Sequence, residues 1–82
     1  MALKDWKRTK KSEYEIIYYN LKTKHLLVLW RNPNYLGWFV EVYKNIGSNK
    51  KPKYHRHSII LMDKFWTKPQ ALKFAKDYMK RH

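Results

Sequence analysis

Trp38-Phe39-Val40-Glu41-Val42-Tyr43-Lys44-Asn45-Ile46 reads as a strand with two unlike faces. Side chains alternate across a strand, so Trp38, Val40 and Val42 share one face while Phe39, Glu41, Tyr43 and Asn45 share the other. The first set is wholly apolar and is the candidate core. The second mixes aromatic rings with polar groups, which suits solvent or a ligand. Such a strand asks for a covering layer on one side only.

On its N-terminal side, Tyr14 to Tyr19 (YEIIYY) and His25 to Arg31 (HLLVLWR) read as two earlier strands, joined by the polar turn at 20–24. Ile16 shares a face with Tyr14 and Tyr18, and Ile17 shares one with Tyr19. The 25–31 segment is apolar on both parities, which marks a central strand whose register its own sequence leaves open. Turn formers at 31–34 and Gly37 lead into the 38–46 strand. After it, residues 47–56 (GSNKKPKYHR) form a cationic loop, and residues 57–65 (HSIILMDKF) a fourth strand. Thr67 and Gln70 then make a capping box. Ala71, Leu72, Ala75, Tyr78 and Met79 follow at the spacing of one helical stripe. The expectation is an α+β domain over residues 13–82, an antiparallel meander of three or four strands with one C-terminal helix on one face. Residues 1–12, which lack apolar periodicity, are expected to be a flexible basic arm.

Nineteen Lys and Arg stand against six Asp and Glu in 82 residues, a formal net charge of +13. Self-repulsion at that density opposes the compact state, and a polyanionic partner relieves it. Nucleic acid is the expected partner, duplex DNA before single-stranded DNA or RNA. A module or inhibitor that docks on an acidic protein is the alternative from another class. The chain has no Cys, and no apolar run suits a signal peptide or a membrane span. A cytoplasmic, nucleoid-associated protein with no membrane partner is expected.

The residues expected to meet nucleic acid fall in three groups. Lys7, Arg8, Lys10 and Lys11 lie in the arm. Lys50, Lys51, Lys53, Tyr54 and Arg56 lie in the loop, where four cations fall within seven residues without an acid between them. Phe39 and Tyr43 lie on the sheet face opposite Trp38, with Tyr19 as a further ring and Arg31 and Lys44 as cations nearby. His55 and His57 are two apart, but a third ligand is missing and the surrounding cations repel a metal, so no metal or other cofactor is expected. Neither a carboxylate pair, nor a Ser/His/Asp spacing, nor a phosphate-cradling glycine loop can be found, so neither an enzyme nor a small-molecule substrate is expected.

From Gly37 onward, the pattern G-W-F-V-E-V-Y, a basic stretch, an apolar strand and F-W-T-K-P-Q-A-L-K-F-A resembles the arm-binding DNA domains of phage-type integrases. These are related in fold to the DNA-binding domain of plant ethylene-response factors. Trp38, Val40 and Val42 match the tryptophan strand of that family; Thr67, Lys68, Gln70 and Ala71 match its helix start. The resemblance covers residues 37–82 and implies a three-stranded sheet in the major groove with the helix behind it; the strand at 14–19 departs from it. Residues 14–82 are similar in element order to four-strand-plus-helix single-strand binders such as the purine-rich-element-binding repeat.

Overall fold

The computed structural model describes residues 5–34, 37–48, 50–51, 53–55 and 58–82. Five antiparallel strands follow one another in a meander: β1 (Trp6–Lys11), β2 (Glu15–Asn20), β3 (Leu26–Trp30), β4 (Trp38–Tyr43) and β5 (Ile59–Phe65). Their order in the sheet is their order in the chain, and the helix α1 (Lys68–Arg81) closes the fold.

The β4 alternation resolves as its sequence dictates. Trp38, Val40 and Val42 are buried, whereas Phe39, Glu41 and Tyr43 are half-buried on the opposite side. Pairing transmits this parity across the sheet, because directly opposed residues share a face. Val42 opposes Leu27 and Val40 opposes Leu29, and Leu27 and Leu29 in turn oppose Tyr18 and Ile16. These residues floor the core, together with Trp6 and Trp38. The register of β3, ambiguous in isolation, is thus set by β4. Leu27 and Leu29 go to the core, and Leu26, Val28 and Trp30 to the other face.

Helix α1 covers the core side. Thr67 Oγ1 accepts from Gln70 N–H at 3.4 Å and Gln70 Oε1 accepts from Thr67 N–H at 3.3 Å, so the capping box forms. Ala71, Ala75 and Met79 are fully or almost fully buried, and the two alanines let the helix lie close over β3 and β4. Phe65 and Phe74 pack at 5.1 Å between centroids. No helix among the described residues is long and apolar enough to cross a membrane.

One expectation is corrected. Residues 6–11 are not an arm but the edge strand β1, which raises the strand count to five. Trp6 anchors it, 8% exposed and edge-on to Tyr78 at 6.3 Å. The rest of the strand is exposed on both sides, with a bulge between Arg8 and Lys10. Lysines and a bulge are how exposed edges resist pairing with other chains, so the absence of apolar periodicity reflects edge position. Asn20 ties this end together. Its Oδ1 accepts from the N–H groups of Lys22 and Thr23, both at 2.8 Å, and its Nδ2 donates to the His82 carbonyl at 3.3 Å.

In urea unfolding, Trp38→Ala should cost about 3–5 kcal/mol through the cavity it opens, and Asn20→Ala about 1–3 kcal/mol through its orphaned partners. A Trp38→Ala change within about 0.5 kcal/mol of wild type, the range of ordinary surface substitutions, would overturn the assignment of faces.

Candidate nucleic-acid interface

Facing away from the helix, the sheet presents three cross-strand rows. Lys7, Tyr19, Leu26 and Tyr43 form the first. Lys10, Ile17, Val28, Glu41 and Met62 form the second, and Glu15, Trp30, Phe39 and Lys64 the third. The surface is concave at its middle, where Ile17, Val28, Trp30, Glu41, Tyr43 and Tyr54 line a recess of about 450 Å³. Val28 floors it and is 8% exposed although no helix covers this side.

The rings are held in place. Trp30 and Phe39 stack across β3 and β4 at 4.6 Å with planes 19° apart. Lys64 Nζ sits 5.8 Å from the Phe39 centroid and 4.9 Å from that of Trp66, which is 69% exposed. Lys24 Nζ lies 5.9 Å from the Tyr19 centroid. The Glu41 carboxylate accepts from Trp30 Nε1–H at 2.8 Å and from Tyr43 O–H at 2.9 Å, both at Oε1. Glu15 also reaches the recess and pairs with Lys10 at 2.7 Å.

The loop between β4 and β5 closes over one side. Asn45 Oδ1 accepts from Gly47 N–H at 2.8 Å and Lys53 N–H at 2.9 Å, forming a neck beyond which Lys50 and Lys51 are exposed. At the base of the loop, Tyr54 O–H donates to the Lys24 carbonyl at 2.7 Å. Burial, with Tyr19 beside it, pushes the Tyr54 phenol up to about 12. His25 is held below its ordinary 6.5 by burial and by Lys44 and His82.

Of the residues singled out in the sequence, Lys7, Lys10, Phe39, Tyr43 and Tyr54 belong to this face or its recess. Arg8 and Lys11 lie on the other side of β1, opposite Tyr18 and Ile16. Lys44, Lys50, Lys51 and Lys53 are exposed beyond the end of β4. Arg31 stands apart, its guanidinium 5.0 Å from the Tyr14 ring centroid. Arg56, like His57, lies outside the described residues. Sequence reasoning passed over Trp30, Glu41 and Lys64. The signal for Glu41 was present, an acid at the same parity as Phe39 and Tyr43. Trp30 and Lys64 needed the register.

No protein-family model, curated protein or solved structure matches this chain.

Tyr54 keeps its proton more tightly in the folded chain than the ordinary value of 10.0 allows, so its contribution to stability is intact below that pH and is lost as pH rises through about 12. An ultraviolet titration of tyrosinate should show a phenol ionising near pH 12 that disappears in Tyr54→Phe. Identical late-titrating amplitudes in the two proteins would contradict the docking of Tyr54.

Proposed function

We propose that this chain binds single-stranded nucleic acid across the open face of its sheet, with bases against the aromatic rows and phosphates at the cationic rim. The observation that carries this reading is the sign pattern of the face. Trp30, Phe39 and Tyr43 surround its middle with Glu41, while Lys7, Lys24 and Lys64 stand at its edges, Lys10 pairs with Glu15 on the β1 side, and Lys50, Lys51 and Lys53 lie on the adjoining loop. A single strand can turn its bases inward and its phosphates outward, matching that arrangement. A duplex carries its phosphates outermost and would set them against the central Glu41 carboxylate, which is why the single strand is preferred over the duplex. The net charge of +13 supplies the long-range attraction.

With about five phosphates neutralised, log K should fall with log[salt] at a slope near −3.5 for a single strand. Phe39→Ala and Tyr43→Ala should each weaken binding by about 1 kcal/mol or more, roughly fivefold. The check is fluorescence anisotropy with a labelled mixed-sequence strand of about 12 nucleotides, with its duplex as competitor. A salt-independent affinity, or a duplex that competes better than the strand, would overturn the proposal.

A further inference from the structure

Among nineteen Lys and Arg, the Glu41 carboxylate has no salt-bridge partner among the described residues. It stands instead in the recess, its rotamer fixed by two uncharged donors, Trp30 Nε1–H and Tyr43 O–H. Both use Oε1, and no hydrogen bond reaches Oε2 from the described residues. Glu15, the other acid at the recess, is already paired with Lys10. A fixed carboxylate in a half-buried, apolar-floored site is matched by a ligand that brings N–H donors.

We infer that the recess reads guanine in a bound single strand, with Glu41 accepting from its N1–H and N2–H₂ edge. This inference rests on the single-strand reading given above. The choice of base follows from donor and acceptor order. Guanine is the one common base with two neighbouring donors on its pairing edge. Adenine, cytosine and thymine or uracil each place a lone pair beside their donor, and that lone pair would face the carboxylate. The recess, about 450 Å³, lies within the roughly 300–1,000 Å³ typical of small-ligand clefts. Ile17 and Val28 give it an apolar floor, and Trp30 and Tyr54 give it ring surfaces. Lys10, opposite Ile17 on β1, and Lys24, over the Tyr19 ring, are the cations of the neighbouring strand and turn.

The substitution Glu41→Gln separates recognition from folding. The carboxamide oxygen can still accept from Trp30 and Tyr43, while its NH₂ replaces Oε2 and donates where the carboxylate accepted. Three thymine-rich strands of about 12 nucleotides serve as probes, differing at one central base that is guanine, hypoxanthine or thymine. Hypoxanthine keeps N1–H and lacks the amino group. The wild-type protein should bind the guanine strand about tenfold more tightly than the thymine strand, with hypoxanthine in between. Glu41→Gln, with a thermal melt like the wild type, should bind all three within about twofold. Equal wild-type affinity for the three strands, or a guanine preference that survives Glu41→Gln, would overturn the inference while leaving salt-dependent single-strand binding in place. Failure of every strand to bind at about 50 mM salt would overturn the single-strand reading and this inference with it.

Discussion

A helix of 14 residues is about 21 Å long and roughly 10–12 Å across, side chains included. Five strands at a spacing of about 4.8 Å make a sheet about 19 Å wide from first to last. One helix therefore covers part of one face and none of the other. That mismatch governs the rest of the molecule. The helix settles over β3, β4 and β5, and the far edge has to be closed by other means. Trp6 against Tyr78 and Asn20 against the His82 carbonyl do this at the helix C-terminus. The opposite face must manage without a second layer. It does so by packing rings flat on one another, as Trp30 and Phe39 do, and by folding the base of the β4–β5 loop over its margin through Tyr54.

Charge is distributed unevenly over that face. Two of the six acids lie on it, Glu41 at its middle and Glu15 paired with Lys10 on the β1 side, and the other cations of the face stand at its rim. The exposed side of α1 is also basic, with Lys73, Lys76, Lys80 and Arg81, but it offers no comparable set of rings. Cations alone attract any polyanion, whereas cations around an aromatic and carboxylate centre favour a partner with planar groups inside and charges outside. The proposed interface rests on this combination rather than on net charge.

The α+β architecture was legible because two local signals agree. The strict alternation at 38–43 fixes one core face, and the capping box with its 71–79 stripe fixes the helix that covers it. The edge strand was not legible, since a strand that buries Trp6 and exposes the rest of its side chains has no apolar period to detect. The parity of Phe39 and Tyr43 was also readable, and both point to the open face. Trp30 and Lys64 were not, because Leu26 to Trp30 is apolar on both parities and only pairing with β4 assigns its sides. Glu41 could be placed on a face but not in a site. Its meaning depends on the Trp30 N–H that β3 brings to it beside Tyr43 of its own strand, a relation between strands that spacing within one strand cannot express.

On the proposed reading the open sheet face, and not the basic helix, receives the nucleic acid. Backbone amide chemical-shift mapping during titration with a short unlabelled single strand distinguishes the two surfaces. The largest shifts should fall on Tyr19, Val28, Trp30, Phe39, Glu41 and Lys64, with smaller ones at Lys50, Lys51 and Lys53. Shifts concentrated on Lys73, Lys76 and Lys80 with the sheet unperturbed would contradict it.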